Sequence, residues 1–182
     1  MSEKGIVSAN EQAYAEMNRT APKGGTVLFG SNNFARFQAE EFIHRGFSEE
    51  IICNRSSENL KITDALNFYR VCISELRPKK VFICLGDCDI ISGDADIADF
   101  IEKYEWLLYE IHSDGVRKIY VLPVFNDSPF CEKLNLCLKK TADNYGCRYI
   151  DCLSPLSPDL FFSIRCYLRS GRITFADAMG TY

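Results

Sequence analysis

Residues 81–86, Val-Phe-Ile-Cys-Leu-Gly, form an unbroken apolar run. A strand with one wet face alternates apolar and polar residues. This one does not, so it must be covered on both faces, as in a parallel sheet with helices above and below. Thr26-Val27-Leu28-Phe29, bounded by Gly25 and Gly30, carries the same signal. Gly30 permits a tight turn, and Ser31, Asn32 and Asn33 are cap-type residues ahead of a helical stretch. Strand, glycine turn and helix start deliver side chains and free backbone N–H groups to the carboxyl edge of the sheet, where such sheets bind ligands.

The rest of the chain continues this alternation. Residues 8–19 predict a leading helix, with Ser8 and Glu11 as a capping box and a weak stripe of Ala9, Ala13, Tyr14 and Met17. Residues 1–23 are read as an N-terminal helical extension, either a cap on the sheet or an arm, and 24–182 as one domain. Ala35, Ala39, Phe42 and Ile43 recur at helical spacing before Arg45-Gly46. Ile51-Ile52-Cys53 predicts a short strand. The stripe Ile62, Ala65, Leu66, Tyr69, Cys72, Ile73 and Leu76 predicts one amphipathic helix, stopped at Arg77-Pro78. A third helix spans Ile97 to Ile111, strand four residues 118–124, a fourth helix Phe130 to Tyr145, and strand five residues 148–151. Ser157-Pro158 starts a last helix, and residues 172–175 are apolar enough to pack. The order β-α-β-α-β-α-β-α-β predicts a three-layer α/β/α sandwich on a five-stranded parallel sheet. Right-handed crossovers give the flavodoxin-like order 2-1-3-4-5.

Composition excludes several classes. A chain of 182 residues, 47% hydrophobic, suits one full-sized core. A net charge of −4 offers no broad basic surface for nucleic acid. No apolar run approaches the roughly 20 residues that span a bilayer, and the first residues lack the apolar core of a signal peptide, so the expected location is cytoplasmic. Nine cysteines, an odd number without a Cys-x-x-Cys pair, read as small buried thiols in a reducing compartment. Trp106 is read as core. No cofactor and no metal are expected: Asp87, Asp89, Asp94 and Asp96 crowd one loop, but acidic residues there also favour the next helix N-terminus.

Val-Leu-Phe-Gly-Ser-Asn-Asn-Phe at 27–34, Ile-Cys-Asn-Arg-Ser-Ser at 52–57 and Arg-Pro-Lys-Lys-Val-Phe-Ile-Cys-Leu-Gly-Asp-Cys-Asp at 77–89 resemble, in order, the three motifs of the SGNH hydrolases, the GDSL-type esterases and acylhydrolases. Residues 132–137 and 149–151 also fit, so the resemblance covers roughly 24–165. The third motif is the most specific, because strand, glycine and following aspartate coincide. The resemblance implies the family's fold. It also implies a pocket at Gly30, Ser31, Asn32, Ser56, Gly86, Cys88, Asp89, Asp159 and Phe162.

The chemistry does not carry over. The family's nucleophilic serine position reads Asn32, its oxyanion glycine Ser56, its oxyanion asparagine Cys88. Asp159 matches the aspartate of the C-terminal Asp-x-x-His, but three residues on stands Phe162; taking Asp177 instead gives Gly180. A carboxamide is a poor nucleophile. Ser31 is a weak candidate beside it and needs a base. The two histidines, His44 and His112, fall at the ends of predicted helices running away from that edge. A helix of about a dozen residues is roughly 18 Å long, which puts both imidazoles out of reach. Cys88, between two aspartates, reads as a structural thiol, and Arg165, Arg169 and Arg172 as a solvated face. The expectation is a divergent SGNH-like domain with degenerate motifs that no longer hydrolyses esters. It would bind a small acyl- or sugar-like molecule or a partner protein. The rivals are an active esterase or deacetylase centred on Ser31 and, last for want of a phosphate-binding loop, an unrelated flavodoxin-like nucleotide-binding module.

Overall fold

The computed structural model describes residues 9–37, 51–152, 154 and 157–168. The elements in order are α1 (Ala9–Thr20), β1 (Thr26–Gly30), α2 (Asn32–Ala35), β2 (Ile52–Asn54), α3 (Ile62–Cys72), β3 (Lys80–Cys84), α4 (Asp94–Ser113), β4 (Lys118–Val121), α5 (Cys131–Asn144), β5 (Arg148–Tyr149) and α6 (Ser157–Leu168). All pairings are parallel and the strand order is β2-β1-β3-β4-β5, as the apolar runs predict. The stripe positions Ala39, Phe42 and Ile43, the histidine His44 and residues 169–182 lie outside the described residues.

Period-two side chains on fully covered strands split one sequence between two cores. Val27 and Phe29 of β1, with Val81 and Ile83 of β3, face the core built with α3, α4 and α5. Leu28, Phe82 and Cys84 face the other way, onto Phe34, Tyr120 and the α6 residues Leu160, Phe161 and Ile164. Phe29 stacks on Phe68 in the first core (centroids 6.0 Å apart) and Phe82 on Tyr120 in the second (4.5 Å).

Two boundaries and the placement of Trp106 differ from expectation. The 62–76 stripe is not one helix: α3 ends at Cys72, and a 3₁₀ turn, Ser74–Leu76, follows. Its exit residue Arg77 takes a left-handed backbone (φ 48°), which turns the chain into β3. Strand four stops at Val121: Leu122 still donates to the Ile83 carbonyl (2.9 Å), but the next ladder donor, the Val124 N–H, goes to Asn135 Oδ1 (2.7 Å). Trp106 is not core: it is 58% exposed, on the outer face of α4. Its neighbours Leu107 and Leu108 take the buried face in its place.

α1 is packed against α3 through polar anchors. Asn18, fully buried, donates to the Cys72 carbonyl (2.7 Å) and accepts from Arg55 Nε (3.0 Å). The Arg55 guanidinium lies over the Tyr14 ring, and the Tyr14 hydroxyl donates to the Ser56 carbonyl (2.7 Å). On the far side, Lys80 is buried at the start of β3 and donates to the carbonyls of Tyr167 and Leu168, the last two residues of α6 (3.2 Å each). A cation at a helix C-terminus meets both the free carbonyls and the negative end of the dipole.

Candidate functional site

Three loops meet at the carboxyl edge: the β1–α2 turn, the segment after β2 and the segment after β3. Two glycines let them approach. A Cβ on Gly30 would stand 2.4 Å from the Cys84 carbonyl oxygen. Gly86 has φ +118°, and a Cβ there would meet Val124 at 2.7 Å and Phe100 at 3.0 Å. Backbone bonds tie the loops together: Ser31 N to the Cys84 carbonyl (3.0 Å), Ser57 N to the Gly30 carbonyl (3.1 Å).

The side chains at the motif positions come together, but as mutual partners. Ser31 is completely buried, its Oγ 2.9 Å from Cys88 Sγ. Asn32 uses both ends of its carboxamide: Nδ2 donates to the same sulfur (2.9 Å), and Oδ1 accepts from the backbone N–H of Asn59 (3.0 Å). The Asn33 backbone donates to Asp87 Oδ2 (3.3 Å). Ser56 is also buried, its hydroxyl donating to the Leu28 carbonyl (3.3 Å). Cys88, Asn32, Asn33 and Asp87 are half-buried and form the outer lip.

The four loop aspartates point to separate tasks. Asp87 is held by the Asn33 backbone. Asp89 accepts from the Ile62 N–H (3.2 and 3.4 Å), capping α3 from a distant loop, which Lys61 at the N-cap position does not do. Asp94 pairs with Lys133, and Asp96 with Ser92 at the start of α4. Among the described residues no three His, Cys, Asp or Glu side chains converge on a metal site. Burial pushes Asp89 up to about 6 against the opposing pull of the Ile62 N–H, and burial likewise raises Asp87. Two buried polar atoms at this edge, Asn33 Nδ2 and Asp87 Oδ1, have no hydrogen-bond partner.

The residues where the resemblance expects acid and base are elsewhere. Asp159 is exposed on α6, and its carbonyl accepts from Ser163. Phe162 is 57% exposed, with the Arg165 guanidinium over its ring (4.8 Å). His112 lies at the distal end of α4, its Nε2 2.8 Å from the Tyr145 carbonyl oxygen. Sequence reasoning missed Asn59 and Asn126. The second holds the β3 loop by donating to the carbonyls of Asp87 (3.0 Å) and Asp89 (3.3 Å). A polar residue just beyond an apolar strand was its only signal.

Solved structures share this architecture. A GDSL-like lipase from Bacteroides thetaiotaomicron is 16% identical, with a TM-score of 0.64 over 80% of this chain and 82% of that one. A psychrotrophic esterase from Pseudoalteromonas is 11% identical, with a TM-score of 0.63 over 79% and 98%. A lipase/acylhydrolase from Enterococcus faecalis is 18% identical, with a TM-score of 0.57 over 70% and 75%. No family model and no curated protein matches the chain.

Proposed function

We propose that this chain, which carries the SGNH hydrolase fold, is a binding domain that does not hydrolyse esters. One observation supports the reading: the Ser31 hydroxyl, beside the attacking position that Asn32 occupies, is fully buried against the Cys88 thiol and so is closed to a substrate. Serine hydrolysis needs an accessible oxygen, a base in hydrogen-bond reach and donors aimed at the developing oxyanion. The Asn32 carboxamide is committed at both ends, and the described imidazole, His112, is bonded at the distal end of α4. The lip of Asn32, Asn33, Asp87 and Cys88 supplies amide and carboxyl groups suited to holding a small polar molecule by hydrogen bonds.

The test is hydrolysis of short acyl p-nitrophenyl esters together with labelling by a fluorophosphonate probe. The expected outcome is a rate no faster than buffer, unchanged in Ser31→Ala, and no labelled serine. Turnover that Ser31→Ala abolishes overturns the proposal and makes the chain an esterase or deacetylase centred on Ser31.

A further inference from the structure

The exposed aromatic face of α4 is used neither by the core nor by the motif edge. Glu102, Glu105, Trp106 and Tyr109 are spaced i, i+3, i+4 and i+7, so they share one face of the helix. Trp106 and Tyr109 are each 58% exposed, and their rings meet edge to face at 6.2 Å. With Tyr145, at the end of α5, they line a cleft of about 420 Å³. Large aromatic rings left in water forgo their burial energy, and exposed tryptophan and tyrosine are enriched where proteins bind partners. Among the described residues neither glutamate has a salt-bridge partner; Lys103 pairs with Asp99 and Lys133 with Asp94, while Lys140 borders only the adjoining stretch of the groove. Aromatic faces and unpaired carboxylates around one cleft attract an organic cation on both counts.

The cleft does not end at Trp106. A second, also about 420 Å³, shares Glu105 and runs along the α4–α5 groove over Ile97, Ile101 and Cys137. Lys133 and Lys140 border this second stretch and oppose a cation there. We propose that the α4–α5 groove docks a short segment of a partner protein, with an arginine or lysine side chain among Glu102, Glu105, Trp106 and Tyr109 and a neighbouring apolar side chain over Ile97 and Ile101. The extended, two-part shape fits a peptide rather than a compact small molecule.

Trp106 is the chain's one tryptophan, so its emission reports on this site without a label. The full chain is titrated with a capped six-residue peptide alternating arginine and leucine, in parallel with the same peptide carrying glutamate for arginine and with tetramethylammonium chloride. The expected result is a saturable change in emission with the arginine peptide alone, weakened by added salt. Glu102→Gln with Glu105→Gln, and separately Tyr109→Leu, should each weaken it about tenfold. These are exposed or partly exposed positions, so circular dichroism should be unchanged. No response to the arginine peptide, or an equal response to the glutamate peptide, overturns the proposal. So does a Tyr109→Leu chain that binds as tightly as the parent, since the rings then contribute nothing. Saturation by tetramethylammonium at concentrations as low as the peptide assigns the cleft to a small organic cation and overturns the peptide reading.

Discussion

Asp89 shows how one side chain can serve the fold while burdening it. Its carboxylate caps α3, yet burial raises its pKa to about 6, well above the unfolded value of about 3.9. A raised folded pKa means that the native state holds the proton more tightly. The stabilisation is therefore complete below about pH 4 and is lost as pH rises through 6. Two units correspond to at most about 3 kcal/mol. Asp89→Asn keeps an oxygen for the Ile62 N–H and cannot ionise. The difference in unfolding free energy between variant and parent should grow in favour of the variant from pH 4 to pH 7, measured by urea denaturation at several pH values. A constant difference would mean that Asp89 does not titrate in this window. Asp89 stood in the sequence beside a motif glycine and was legible as a site position. Its capping role was not, because the helix it caps begins 27 residues earlier.

The elements were legible where one face of a repeat is apolar and illegible where tertiary partners set the boundary. β1 and β3 follow directly from residues 26–29 and 81–85. The break at Ile73 was hidden, because Ile73 and Leu76 keep the helical spacing while the backbone changes to a 3₁₀ turn. α1 gave only a weak stripe, since one ring, Tyr14 against Phe68, and a set of polar bonds attach it. Asn18, fully buried, joins α1 to the end of α3 and to Arg55 beyond β2. Asn18→Ala removes both bonds and leaves the Cys72 carbonyl and the Arg55 Nε–H unpartnered. It should cost about 2–3 kcal/mol in chemical denaturation and speed hydrogen exchange in α1 before the sheet.

Over the whole molecule, the chemistry of nine thiols is divided by burial. All nine cysteines are free. Burial pushes Cys72 up to about 12 and Cys147 up to about 11, and raises Cys84, which is almost wholly enclosed. Thiolates are the reactive form. Brief iodoacetamide treatment of the native chain at pH 8, read by peptide mass spectrometry, should leave Cys72, Cys84 and Cys147 unmodified until denaturant is added. Prompt labelling of Cys84 would mean that the sheet opens far more readily than a two-sided core allows. The sequence signal for Cys72 and Cys84 was their place inside apolar runs; Cys147, between Gly146 and Arg148, carried none. Trp106, expected in the core, is exposed instead, because its helix buries Leu107 and Leu108 and turns Trp106 and Tyr109 outward. Among the described residues no helix is long and apolar enough to cross a membrane.

The amide of Asn32 spans two loops, gripping sulfur on one side and a main-chain nitrogen on the other. A hydroxyl installed there would be too short to hold both, so a single Asn32→Ser change would loosen the rim it was meant to arm. On the reading proposed above, arming this corner for ester hydrolysis would take more than that one change, because the new serine would loosen the loops that have to position it.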